Sequence, residues 1–433
     1  MRILAALFSF SLALAAPAQA GAHQSWLLTT DLWGNASYDA LDFDDQAGKL
    51  SGTLGGDPID GTMSAAKIRF SVGKAPSRCR YEGTLARDKI EGVADCVDHN
   101  RADARVKHAF HARRLPDRPP GPPRRHEFRP SDYANEFSPH RMPVLTIWSG
   151  DSVHTTTVDS GGVDENGMTR ALFGNPQTGP FFVAGAAPGD TLAIRILRLR
   201  PNRDYADSLD AIVGRALSLG VAAKAGDLGK PVRWKLDRER GMARPDTPSA
   251  RLQDLQVPLR PMLGGLAVAP GFGSAPISTG DTGRFGGNMD FNEVVEGNTV
   301  YLPVFQPGAL LYLGDAHALQ GDGETSQYAL ETSMDVEFAV EVIHGKSIAM
   351  PRVESPDQIM VLGQAGSLDE AVRAATAGLA QWLEQDYGLN LSESAQVLGS
   401  SAHYVVANLA GRSVGIAAKL DKARLAALAP RGT

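Results

Sequence analysis

A mainly β chain with a smaller α+β part is what this sequence predicts, and three observations carry the expectation. Short runs of β-branched and aromatic residues recur from Ser25 to about Leu115, broken by Gly-rich turns every dozen residues or so. Further on, Met334, Val336, Phe338, Val340 and Val342 alternate with Asp335, Glu337 and Glu341. That period of two describes a strand with one buried face, and it leaves the two glutamates facing solvent. Helical spacing appears only near the C-terminus. There Ser367 and Glu370 form a capping-box pair, Leu368, Val372, Ala375, Leu379 and Trp382 share one face, and Gly388 ends the run. A second helix is expected over residues 392–398.

Residues 1–20 read as a secretory leader, with Arg2, an apolar run from Ile3 to Ala16, and Ala18-Gln19-Ala20 as the cleavage site. The apolar run is shorter than the roughly 20 residues that span a hydrocarbon core. A periplasmic or secreted protein, free of the membrane once the leader is removed, is therefore expected. Residues 21–115 read as a small β barrel or sandwich, with strands at 26–32, 49–54, 66–72, 79–85 and 89–94. The chain has two cysteines, Cys79 and Cys96, and in an oxidising compartment a disulfide is the expectation. Closing a loop of that size contributes roughly 3 kcal/mol by the chain-entropy estimate. It also removes the free thiolate that a cysteine hydrolase needs.

Five prolines crowd Pro116 to Pro123, so residues 116–130 read as an extended linker. Residues 131–433 then form the second domain. A chain of 433 residues with 43% hydrophobic content supports real cores, and a net charge of -6 argues against nucleic acid or an anionic membrane as partner.

In this second region the run Thr191 to Arg200 changes phase at Leu197, the pattern of a β-bulge. Residues 299–304 and 309–313 flank Gln306-Pro307-Gly308, where Pro then Gly suits a type II turn, and a hairpin aiming Asp315 and His317 is expected. Four polar, Gly-rich islands interrupt the strands: 151–162, 260–265, 286–290 and 315–331. Glycine lets backbone approach a ligand closely, and buried charges need a partner or a metal. His154, Asp159, His317 and one of Asp290, Asp315 or Asp322 would supply the nitrogen and oxygen ligands that zinc favours. A serine nucleophile elbow is not the expected route to hydrolysis here. The Ser64/Lys67 pair matches only the short S-x-x-K pattern, within the N-terminal domain.

The runs V-D-S-G-G at 158–162, G-P-F-F-V-A-G-A-A-P-G-D at 179–190, P-L-R-P-M-L-G-G at 258–265, G-G-N-M-D at 286–290 and L-G-D-A-H-A-L-Q-G-D-G-E at 313–324 carry a resemblance to the acetamidase/formamidase family, in order and spacing, over about Pro139 to Ala427. The resemblance implies a β-sandwich core with a smaller α+β part; the export signal and the small N-terminal β domain are additions to that core, and C-terminal helices are expected within the resembling region. It further implies hydrolysis of short linear amides to carboxylate and ammonia, a divalent metal, most often zinc, and a homo-oligomer. Asp159, Asp290, Asp315, His317, Asp322 and Glu324 all lie in the family's motifs, whereas His154 matches only part of the family. This chain departs at Ala316, where members often have glycine, and at Ser326 and Gln327, where cysteine and glycine are common.

The expected chemistry is water attack assisted by a metal held by Asp159 and His317 with Asp315 or Asp290. Glu324 is the expected general base, with Asp322 beside it, and the backbone N–H groups of Gly161-Gly162 or Gly286-Gly287 are the expected oxyanion donors. Two rival expectations are a hydrolase of lactams, esters or larger amides at the same site and a periplasmic binding protein without turnover.

Overall fold

The computed structural model describes residues 23–74, 78–98, 100–271 and 275–428, so the leader lies outside the described residues. The chain divides into two compact units, one reaching to Asp117 and a second from Arg118 onward, with residues 35–39 grouped with the second.

The first unit is built on an eight-stranded closed barrel in which each strand pairs with the next and the last, Arg101–Arg114, returns to the first, His23–Leu32. Trp26, Leu41, Phe43, Ile68 and Phe110 fill it. Closure removes the edges that an open meander would expose. Cys79 and Cys96 are joined as a disulfide. Three strands escaped the sequence reading: Asn35–Gln46, Asp57–Ser64 and Arg101–Arg114. Their outward positions carry so many charges that the inward residues, such as Leu41 and Phe43, were masked. Within the stretch read as a linker, Arg125–Glu127 is itself a strand, pairing in parallel with Ser152–Thr156.

The second unit is a sandwich of two large sheets. One has nine strands in the order 403–408, 414–421, 358–365, 352–354, 299–303, 191–201, 334–343, 152–156 and 125–127. The other has six, in the order 145–148, 177–184, 311–317, 262–267, 286–288 and 282–283. Phe181 of the six-stranded sheet meets Phe338 of the nine-stranded sheet edge to face at 5.4 Å, which marks the interior between them. The strand Met334–Ile343 alternates buried and more exposed positions as expected. Thr191–Pro201 pairs with it through a register shift between Ile196 and Arg198, the expected bulge.

The expected hairpin is not formed. Gln306 O accepts from Ala309 N at 2.9 Å and Gly308 has φ 74, as a type II turn requires. The flanking strands, however, join different sheets, Thr299–Pro303 the larger and Leu311–His317 the smaller. The turn carries the chain across the sandwich, and a Cβ on Gly308 would fall 2.2 Å from the Phe182 ring.

Helix Leu368–Tyr387 begins where Ser367 accepts from Glu370 N and ends at Gly388 in the left-handed region. Leu391–Ser401 follows with a capping box between Asn390 and Glu393. Neither helix is long and apolar enough to cross a membrane, nor is any other among the described residues. A separate four-stranded sheet, residues 205–209, 231–237, 242–245 and 257–258, lies beside the loop that follows His317.

Candidate functional site

The strand Leu311–His317 is buried at every position, and its last turn of pleat places Asp315 and His317 two residues apart on one side. Its neighbour Met262–Ala267 sets Gly264 against them. A Cβ there would lie 2.6 Å from Asp290 Oδ1 and 2.8 Å from Asp315 Oδ2, so glycine makes room for the two carboxylates. Asp290 follows the strand Gly286–Asn288, Glu324 comes from the loop after His317, and Glu331 is held by bridges to His317 and Asp207. Two groups of ligand atoms gather within 4.8 Å: Asp290, His317 and Glu324, and Asp315, His317 and Glu331. All five side chains are 1–6% exposed.

The hydrogen bonds are arranged around a gap. Asp290 Oδ2 accepts from Asn288 Nδ2 at 2.8 Å and from Asn408 Nδ2, and Asp315 Oδ2 accepts from Asn175 Nδ2 at 3.0 Å. The Oδ1 atom of each has no donor, and neither has Glu331 Oε2. Gln320 donates from Nε2 to Asp290 O, which fixes its Oε1 as the acceptor 2.9 Å from His317 Nδ1. The proton on a neutral imidazole therefore sits on Nδ1, and the Nε2 lone pair points toward carboxylates. Nε2 is 3.2 Å from Glu331 Oε1 and 3.7 Å from Asp315 Oδ1, yet makes no hydrogen bond of acceptable geometry. Unpaired buried acceptors facing one another are costly unless a cation joins them, and a hydrogen bond from Nδ1 to a neighbouring oxygen is what a metal-ligating histidine ordinarily makes. The residues fit a divalent cation.

Without that cation the electrostatics are strained. Burial, then Asp315, push the Asp290 carboxyl up to about 8. Burial, then Asp290, raise Glu324 well above the carboxylate range, and burial also raises Glu331. For His317, burial pulls the imidazolium down, but Glu331 and Asp315 together outweigh it and hold the group well above its ordinary value. Asp290, Asp315 and Glu324 also adopt φ of 42, 51 and 46, left-handed backbone that non-glycine residues seldom use.

The unfolded Asp ionises near pH 4, but Asp290 in the chelated folded protein stays protonated to about 8, so folding opposes ionisation over that interval. Stability present below pH 4 is lost as the pH rises through about 8. The raised His317 works in the same direction. A cation that binds the ionised carboxylates reverses the trend, so the gap in melting temperature between zinc-loaded and chelated protein should widen from pH 5 to pH 8. A constant gap in paired melting scans would count against a cation among these groups.

Other expected site residues are placed elsewhere. Asp159 is buried, but its Oδ2 accepts from Arg203 Nη2 at 2.6 Å and its Oδ1 from Val163 N at 2.8 Å, so both oxygens are engaged and it belongs to neither group. Arg203 also donates to Glu331 O, tying the Asp159 loop to the site. Arg203→Met would leave Asp159 buried and unpaired, and urea unfolding should show a loss of about 3–5 kcal/mol. A loss below 1 kcal/mol would show that the pair is not structural. His154 lies outside both groups, with its two ring nitrogens at 2.6 Å from Glu127 and 2.8 Å from Asp335. Asp322 is exposed and accepts from Asn292 Nδ2 at 2.8 Å.

Gly162 N donates to Asp159 O within its own turn. Gly286 and Gly287 sit in a strand paired on both sides, where each Cβ would fall 2.3 Å from a neighbouring carbonyl oxygen. Close backbone approach is what these two positions need glycine for. Gly161 lies next to Asp159, whose Oδ1 a Cβ would meet at 3.2 Å. Glu331, Gln320, Asn408 and Arg203 had no role in the sequence reading. Glu331 ended the last polar island, and its charge beside the buried run 329–334 was the available signal.

The fold and the site thus define a two-sheet β protein with a buried carboxylate–histidine centre suited to a divalent cation. The acetamidase/formamidase family model matches residues 272–365. Among solved structures, an acetamidase from Yersinia enterocolitica is 28% identical, with 70% of this chain and 93% of that one covered at a TM-score of 0.61. A predicted acetamidase/formamidase from Thermoanaerobacter tengcongensis is 27% identical over 70% and 98%, with a TM-score of 0.60. A Schizosaccharomyces pombe protein described as "Putative formamidase C869.04" is 54% identical over 41 residues, and that match spans 10% of its length and of this chain's. In sequence over residues 272–365, and in fold over most of its length, the chain is similar to acetamidase/formamidase proteins.

Proposed function

We propose that this protein is an exported, divalent-cation-dependent amidase that hydrolyses amides to a carboxylate and ammonia. The observation that carries the reading is the set of buried acceptors left without donors, Asp290 Oδ1, Asp315 Oδ1, His317 Nε2 and Glu331 Oε2, on residues of two ligand groups that share His317, one of which includes Glu324. Asp290, Asp315, His317 and Glu331 would hold the cation, with zinc the proposed occupant because nitrogen and carboxylate oxygen together suit it. When bound, zinc polarises the amide oxygen and lowers the pKa of water.

The chain's own groups supply the rest. Gln320 fixes the His317 tautomer, and the asparagine amides hold Asp290 and Asp315 in place. Glu324, raised by burial and by Asp290, is a proton carrier at the edge of the cluster. Ionised beside a bound cation, it would take a proton from the attacking water and return it to the departing nitrogen. A C–O bond forms, the C–N bond breaks, and the proton leaves with ammonia.

Export is supported by the leader read in residues 1–20, and homo-oligomerisation by the family resemblance. Light scattering on the mature protein tests the second. Ammonia release from formamide, acetamide and larger amides, with chelator and with restored zinc, tests the chemistry. Release that chelator abolishes and zinc restores is the expected result, whereas zinc-loaded protein that releases none would overturn the reading.

A further inference from the structure

A cavity of about 350 Å³ opens against Glu324, lined by Val232, Trp234, Val257, Leu319 and Leu330 among others. Val232 and Trp234 stand on one side of the strand Pro231–Asp237, with Leu236 next in the same period, while Arg233 and Lys235 face the other way. Trp234, Val257 and Leu319 pack against the small core formed by Leu236, Ala318 and Leu330.

Apart from the Thr325 hydroxyl and Glu324, the polar side chains of the lining make hydrogen bonds elsewhere. Ser208 Oγ donates to Tyr328 O at 2.9 Å and Ser326 Oγ to the same oxygen at 2.7 Å. Asp210 Oδ1 accepts from Gly229 N and Lys230 N, and Gln320 is held by Asp290 O and His317. What the cavity offers a ligand beside Glu324 and Thr325 is therefore mainly an aromatic and aliphatic surface. Its volume lies in the range of about 300–1,000 Å³ typical of small-molecule sites, far more than a one- or two-carbon amide fills.

We propose that this cavity is a subsite for an apolar substituent of the scissile amide. The preferred substrates are amides bearing a branched-aliphatic or aromatic group, on the acyl carbon or on the nitrogen. The inference rests on the amidase reading of the Glu324 centre and adds the substrate class to it. Burying a methylene is worth about fourfold in kcat/KM, so the three further carbons of 3-methylbutanamide over acetamide should give roughly fiftyfold.

The test compares zinc-loaded protein on acetamide, 3-methylbutanamide and phenylacetamide, and on acetamides with the same groups moved to nitrogen. A kcat/KM at least about tenfold above that of acetamide in either series is expected. Trp234→Ala, which removes the wall, and Val232→Trp, which fills the space, should each lower that ratio about tenfold. A ratio at or below one in both series, or one that neither variant changes, overturns the proposal.

If no amide is turned over, the amidase reading fails on its own, and binding still decides the subsite. Quenching of tryptophan fluorescence by phenylacetamide that disappears in Trp234→Phe supports it. No quenching, or quenching retained in that variant, overturns it.

Discussion

Glu324→Gln is expected to keep its cation and lose amide turnover by about a hundredfold or more, the usual scale of a lost general acid–base group. The glutamine preserves the shape of the protonated side chain but cannot carry a proton from water to nitrogen. Asp315, His317 and Glu331 form a ligand group that does not include Glu324, which is why metal content should survive. Metal analysis beside steady-state kinetics is the measurement, and turnover within threefold of the parent would remove Glu324 from the reaction.

His317→Ala should behave in the opposite way, losing bound cation and turnover together. His317 belongs to both ligand groups and is their one nitrogen donor. Removing it leaves the two groups with carboxylates alone, Asp290 with Glu324 and Asp315 with Glu331. The expectation is a loss of at least about a hundredfold in cation affinity, together with a fall of amide turnover to background. Titration with zinc under competition from a chelator measures the first. A variant that still binds stoichiometric zinc with its original affinity would place the cation elsewhere.

Much of the frame was legible because it rests on local rules. The alternation through Met334 to Val342 needs only the pleat, and the helix from Leu368 to Tyr387 announces both ends through Ser367 and Gly388. Local rules also found the turn at Pro307-Gly308, but not its destination. Which sheet a strand joins is decided by partners far away in sequence, here Gln177–Ala184 and Met262–Ala267 for the strand carrying Asp315 and His317.

The site divided along the same line. Asp290, Asp315, His317 and Glu324 sit in compact motifs where charge meets glycine, so they were visible. Asp159 sits in such a motif too, yet Arg203, more than forty residues on, engages it. Glu331 reaches His317 through isolated bridges, and Asn408 reaches Asp290 across 118 positions. No spacing rule records such encounters.

The left-handed backbone at Asp290, Asp315 and Glu324 has a consequence for how such a site persists. Asparagine and glycine occupy that conformation more readily than aspartate or glutamate, and neither would bring a buried negative charge. Any selection for thermal robustness alone, in the laboratory or in a lineage that no longer uses the reaction, will find its easiest gains at these three positions. The carboxylates would be the first residues to vanish, leaving a sturdier barrel-and-sandwich protein with an inert centre.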